Sequence, residues 1–162
     1  MFTKEIPPEE IIHIHFMREA IKQAKIAYEH DEVPVGVIIT HQNKIIAKAH
    51  NQVEMLKDPT AHAEMIAITQ ATSSMSSKWL YDCNMYVTLE PCSMCAGALV
   101  LARIKNLYFG AKDKKTGACG SVFNIPESEK VNHKIEVKTG LLEAECSEIM
   151  TNFFKSKRNI AN

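Results

Sequence analysis

The stretch Thr88-Leu89-Glu90-Pro91-Cys92-Ser93-Met94-Cys95-Ala96-Gly97-Ala98 closes a β-type run, Met85 to Leu89, and opens a segment rich in small and apolar residues. Proline is favoured in the first helical turn and is rare inside a central strand. The chain is therefore predicted to change from strand to helix at Pro91, with the helix running to about Arg103. A strand feeding a helix is the unit from which α/β proteins are assembled.

Reading outward from this unit supplies the remaining elements. Upstream, Glu10 to His30 has Ile12, Phe16, Ala20, Ala24 and Ala27 at steps of three and four, the period of an amphipathic helix. Pro34 ends it, because the residue before a proline avoids helical geometry. Val35 to Thr40 and Lys44 to Ala49 read as antiparallel strands around the polar turn His41-Gln42-Asn43. A polar stretch, Asn51 to Asp58, leads to Thr60, the expected N-cap of a helix reaching about Ala71. Thr72 to Ser77 is serine-rich and is expected to be a loop. Downstream, Asn106 to Ala111 and Lys134 to Lys138 are expected strands, and Leu141 to about Arg158 a closing helix. This alternation predicts a single α/β domain over residues 1–162, with one mixed sheet and helices packed on its faces.

Bulk properties narrow the function classes. Nineteen basic and nineteen acidic side chains cancel to a formal net charge of +0, so total charge offers no argument for a nucleic-acid partner. Two local clusters remain, Lys112, Lys114 and Lys115, and Lys155, Lys157 and Arg158; either is also compatible with plain solvated surface. No run approaches the length of a membrane span, and Phe2 to Glu10 is polar with Pro7-Pro8, unlike a secretory leader. Five cysteines, an odd number, are expected in a reducing cytoplasm as metal ligands or core residues.

The chemistry is concentrated in two short motifs, His62-Ala63-Glu64 and Pro91-Cys92-Ser93-Met94-Cys95. Cys92 and Cys95, three apart, can project from one face of a helical turn. A helix N-terminus favours thiolates, the metal-binding form. With a nitrogen from His62, the set is three ligands for a tetrahedral Zn²⁺ with the fourth position open, as in catalytic rather than structural zinc sites. Glu64, if not a ligand, is placed to move protons beside the metal. The competing reading is a zinc that only staples the fold, with Glu64 on a solvated helix face.

With these residues in view, the chain resembles the cytidine deaminase superfamily, whose signature is a histidine, two cysteines and a non-ligand glutamate. Within it, the chain is similar to the bacterial tRNA adenosine deaminases. Glu32-Val33-Pro34-Val35-Gly36, Asp58 to Glu64, Thr88 to Ala98, Phe109-Gly110-Ala111 with Asp113, Lys115-Thr116-Gly117 and Gly120-Ser121, and the terminal Phe153-Phe154 with Arg158 carry that likeness. The resemblance implies a three-layer α/β/α cytidine-deaminase-like fold with a central mixed five-stranded sheet. It implies a cytoplasmic homodimer with one zinc per subunit that converts adenosine to inosine at the wobble position of a tRNA anticodon stem-loop. His62, Cys92 and Cys95 then carry over as metal ligands and Glu64 as the catalytic proton shuttle. Asn51, the Ala63 backbone, Val35 and Asp113 carry over to the substrate, and Phe154 is expected beside them as an exposed ring on which RNA or the partner subunit can pack.

Other readings stand beside these. Asn51 also suits a turn, and Asp113 an ordinary polar loop. Adjacent helical residues point about 100° apart, so only one of Phe153 and Phe154 is expected to be buried. His50 departs from the family, which commonly has tryptophan there, and Cys119 stands where alanine is common. A deaminase of a free base or nucleoside (guanine, cytosine or cytidine) would share the metal chemistry and need no basic surface.

Overall fold

The computed structural model describes residues 6–160; of the polar start read from the sequence, Phe2 to Glu5 lies outside them. Ten elements follow in order: α1 (Pro8–Glu29), β1 (Gly36–His41), β2 (Lys44–His50), α2 (Val53–Leu56), α3 (Ala63–Met75), β3 (Cys83–Leu89), α4 (Ser93–Leu101), β4 (Asn106–Ala111), β5 (Glu136–Thr139) and α5 (Glu143–Ile160). The strands form one sheet in the order β2-β1-β3-β4-β5. β1 pairs antiparallel with both β2 and β3, whereas β3–β4 and β4–β5 are parallel. The sheet is mixed and five-stranded.

Two apolar clusters, one on each face, make the layers. Alternate residues of a strand point to opposite faces, and the burial follows that rule. Val37, Ile39, Met85, Val87, Leu107 and Phe109 pack against α3 and α4 through Ala63, Ala67, Ala71, Ala96 and Leu99. Ile38, Tyr86 and Tyr108 face the other way, onto Phe16, Met17, Ala20 and Ile21 of α1 and Cys146 of α5. The result is the α/β/α sandwich. His13, for which the sequence suggested no role, bonds the Tyr86 hydroxyl through Nδ1 at 2.8 Å in this second layer.

One contact sets how closely the first helix lies on the sheet. A Cβ on Gly36 would stand 1.9 Å from the Ala20 carbonyl oxygen and 2.4 Å from the Ala24 nitrogen. Only glycine lets the α1 backbone approach β1 this closely. Across the sheet, Gly36 N–H donates to the Thr88 hydroxyl at 3.1 Å, tying the start of β1 to the end of β3.

Several boundaries differ from the sequence-based expectation. Thr60 is not an N-cap: its N–H and hydroxyl both donate to Asp58 Oδ1 at 2.8 and 2.7 Å, making a turn, and His62 caps α3 instead. The stretch from Thr72 is not a loop until Ser76, because α3 continues to Met75 with the Thr72 hydroxyl donating back to the Ile68 carbonyl at 2.9 Å. A four-residue helix, α2, stands within the segment read as merely polar. Pro91 and Cys92 stay extended: Cys92 bridges Gly117, and Ala118 N–H donates to the Pro91 carbonyl at 2.8 Å. Helix α4 therefore starts at Ser93.

Candidate metal centre and active-site cavity

The two motif segments meet because α3 and α4 both begin beside the carboxyl end of β3, on the same face of the sheet. His62 is the N-cap of α3 and Cys92 the N-cap of α4, and neither uses its side chain to cap its helix. Both side chains are thereby left for each other. Cys95, three residues on, is fully buried in the first turn of α4. So Cys92 lies just outside the helical turn that was expected to hold both thiols, yet the sulfurs still converge.

His62 Nδ1 lies 3.6 Å from Cys92 Sγ and 3.6 Å from Cys95 Sγ. Zn–N near 2.05 Å and Zn–S near 2.3 Å in a tetrahedron give an N···S edge of about 3.6 Å. The three donor atoms all lie within 4.8 Å of one another, and Glu64 is not among them. The donor set and its spacing match a tetrahedral ion held by one imidazole and two sulfurs, with one face left to the cavity.

The protein groups alone already favour charge here. A hydrogen bond from Cys95, then one from His62, draws the Cys92 thiol down to about 4. Cys95 moves the other way, since the neighbouring Cys92 takes its proton as a hydrogen bond and burial opposes a second thiolate. His62 is raised, chiefly by its bond to Cys92. Two helix N-termini aimed at the cluster add positive potential to the same effect.

Glu64 occupies the second position of α3, buried at 4% exposure. Burial pushes its carboxyl up to about 7, against smaller opposing contributions from its own backbone N–H and from His62. A carboxyl poised near neutrality is suited to both taking and giving a proton. The reading of Glu64 as a solvated helix residue is overturned by this burial.

Above the cluster opens a cavity of about 1010 Å³, lined among others by Val35, Asn51, His62, Glu64, Asp113 and Phe154. Asn51 is buried where it borders the cavity, and its backbone N–H donates to the Val35 carbonyl at 3.1 Å, tying the two lining residues together. Ala63 does not line the wall; its methyl packs in the core, while its N–H, at the first position of α3, has no helical acceptor. Asp113 spends its carboxylate on its own loop, accepting from Lys115 N–H, Thr116 N–H and the Thr116 hydroxyl at 2.9, 3.1 and 2.6 Å. The Phe pair divides as the helical angle requires: Phe153 is buried edge-on against Tyr28, and Phe154 is 45% exposed on the cavity rim.

Lys112, Lys114, Lys115, Lys157 and Arg158 also line the rim, so basic charge gathers here despite the neutral total. Lys157 is paired with Asp31, and Lys155 is not part of the wall. Four contributors escaped the sequence reading. Ser147 and Thr151 share the cavity face of α5 with Phe154 and Arg158, and their steps of four, three and four were a readable signal. Glu32 and Glu90 are buried at 1% and 2% exposure and also border the cavity. Their one sequence signal was an acidic residue against an apolar strand end.

This arrangement agrees with what the chain is similar to. The profile of the MafB19-like deaminase family matches residues 11–158. A tRNA-specific adenosine deaminase of Aquifex aeolicus is 52% identical over 145 residues, covering 90% of this chain and 95% of that protein. This chain belongs to the tRNA-specific adenosine deaminase family. The Bacillus subtilis member is 45% identical over 88% of this chain and 89% of its own. A solved structure from work on A-to-I editing by tRNA:A34 deaminases at the wobble position superimposes with a TM-score of 0.81 at 41% identity, over 83% of this chain and 98% of that one. A guanine deaminase from Nitrosomonas europaea, 20% identical, has a TM-score of 0.72 over 94% of this chain and 96% of that one, which shows a common fold.

Proposed function

We propose that this protein is a zinc-dependent hydrolase that converts adenosine to inosine at the wobble position of a tRNA anticodon. The observation that carries the reading is that the open side of the His62–Cys92–Cys95 cluster and the buried Glu64 carboxyl share one cavity with an aromatic and basic rim. At about 1010 Å³ the cavity is at the top of the range for small-molecule sites, roomy for a nucleoside together with its neighbours in a loop. Net neutrality, which suited a free-base substrate, loses its force once the basic side chains are seen to gather at this rim.

His62, Cys92 and Cys95 are the residues that would hold one zinc ion per subunit. When bound, zinc supplies the Lewis acidity that makes water nucleophilic at neutral pH. Glu64 accepts the proton released by the attacking water and returns it to the ring nitrogen beside the attacked carbon. It carries the second proton to the departing amine, so that adenosine and water become inosine and ammonia. The Asn51 amide and the Ala63 N–H orient the flipped-out base, and Val35 packs beside it. Phe154 offers a stacking surface for an unpaired neighbouring base, and Asp113 shapes the loop on the other side.

We further propose assembly as a homodimer; Leu101, Val122, Phe123, Met55 and Leu56 are exposed large apolar side chains that such an interface could cover. No described helix is long and apolar enough to cross a membrane, and we place the enzyme in the cytoplasm with its tRNA substrate. The test is incubation of zinc-loaded protein with tRNA transcripts, guanine, cytosine and cytidine in parallel, reading inosine at the wobble position by sequencing. Turnover confined to the small molecules would reject the reading.

A further inference from the structure

Glu90 closes β3 immediately before the cysteine segment, and its carboxylate is enclosed by donors from a distant loop. Asp113 N–H donates to Oε2 at 2.9 Å, and the Ser121 hydroxyl donates to the same oxygen at 2.5 Å. Cys119 and Ser121 N–H groups donate to Oε1 at 3.1 and 3.0 Å. The loop from 113 to 121 thus arches around one buried carboxylate, touching it at both ends. Gly117, at the crown, leaves no room to spare: a Cβ there would stand 2.4 Å from Glu90 Cδ and 2.4 Å from the Asp113 carbonyl oxygen.

The same loop is stitched to the metal-ligand segment. Gly117 bridges Cys92, and Ala118 N–H donates to the Pro91 carbonyl at 2.8 Å. Lys112 to Thr116 form one wall of the cavity. The loop's Ala118 and Cys119 are buried in the core, whereas the Lys112 to Thr116 wall contributes no residue to it. The tie from the wall to the protein interior is the bond from Asp113 N–H to Glu90, whose other oxygen holds Cys119 and Ser121.

We propose that Glu90 is a positioning residue for substrate binding. It fixes the 113–121 loop, and so the Asp113 wall, relative to the metal ligands without itself touching the reacting atoms. The proposal deepens the function proposed above and rests on it for the identity of the substrate, but not for the loop's dependence on Glu90.

An isosteric amide is the discriminating change. Three of the four groups facing Glu90 are backbone N–H donors, which cannot accept, and both oxygens face at least one of them, so Glu90→Gln must point its NH₂ at a donor whichever way it turns. The loop loses the Asp113 bond in one orientation, where the Ser121 hydroxyl can turn to accept, or the Cys119 and Ser121 N–H bonds in the other, while the shape is kept. Zinc content, amide hydrogen exchange across residues 113–121, and kcat and KM on an anticodon stem-loop are to be measured for Glu90→Gln and for Ser121→Ala. Ser121→Ala removes one donor and leaves the carboxylate three, so it remains informative if the amide variant does not fold.

For Glu90→Gln we expect one zinc per chain, exchange within residues 113–121 faster by at least tenfold at Asp113 or at Cys119 and Ser121, and KM raised by about tenfold with kcat changed less than threefold. Ser121→Ala should shift exchange and KM in the same direction by about threefold. Unchanged exchange in both variants overturns the proposal. So does a fall in kcat at constant KM with loss of zinc, which would make Glu90 a support of the metal site instead. If the wild-type protein does not deaminate tRNA, the substrate reading fails, and the exchange data still decide the role of Glu90.

Discussion

Replacing Glu64 by glutamine should stabilise the metal-free protein, and by an amount that depends on pH. Burial raises the Glu64 carboxyl from its ordinary 4.5 to about 7. Below pH 4.5 the group is protonated in both the folded and unfolded chains, so folding meets no penalty. As pH rises, the unfolded chain loses its proton first, and the folded state binds more protons than the unfolded. Stability therefore falls with pH across the window from 4.5 to about 7 and then levels off. At 1.36 kcal/mol per pKa unit the full penalty is about 3 kcal/mol. Glutamine keeps the shape without the ionisation, so its advantage should be small near pH 5 and approach about 3 kcal/mol by pH 8. Urea unfolding of both proteins, with chelator and reductant present, at pH 5, 6, 7 and 8 measures that gap. A bound divalent cation favours the carboxylate, so loading zinc should shrink it. A gap that stays constant from pH 5 to 8 in the metal-free proteins would refute the claim that burial dominates at Glu64.

The aromatic pair on α5 should separate stability from binding. Phe153→Ala is expected to cost about 3 kcal/mol in denaturant unfolding, because the ring is buried against Tyr28. Phe154→Ala should leave stability nearly unchanged and raise KM for an anticodon stem-loop about tenfold, the order of one lost base–aromatic stack; equal effects from the two variants would dissolve the division. Gly36→Ala should destabilise by about 3 kcal/mol through overpacking, seen as a lower Tm, since its Cβ would meet the α1 backbone at 1.9 Å. Cys92→Ser should release zinc on dialysis without unfolding the apolar layers, as read by metal analysis and circular dichroism.

The parts of this molecule that could be read from sequence are those encoded by short spacings. The histidine and cysteine motifs, the sheet strands and the α1 face repeat over a few residues, and the structure has each of these elements within a few residues of its expected bounds, with Cys92 just outside the turn expected to hold both thiols. Local competition hid the rest. Thr60 has the chemistry of a cap, but Asp58, two residues away, captures both its donors. Thr72 and the serines after it have weak helix propensity, yet α3 runs on because Ala67 and Ala71 pack in the core beneath it. Glu32 and Glu90 were illegible for a different reason. All of their partners but one, the Ser121 hydroxyl, are backbone N–H groups, and they lie 22 to 31 residues away; a backbone amide leaves no mark in composition or period. Asp113 shows the converse, a side chain whose apparent freedom in the sequence is spent on Thr116 and Lys115.

The proposed mechanism assigns metal binding to His62, Cys92 and Cys95 and proton transfer to Glu64 alone. Glu64→Ala should be purified, its zinc counted, and the same sample incubated with a tRNA transcript whose wobble adenosine is then sequenced. One zinc per chain with no detectable inosine, beside a wild-type control that converts the site, is the predicted result. Loss of zinc from the variant, or inosine formed at the wild-type rate, would contradict it.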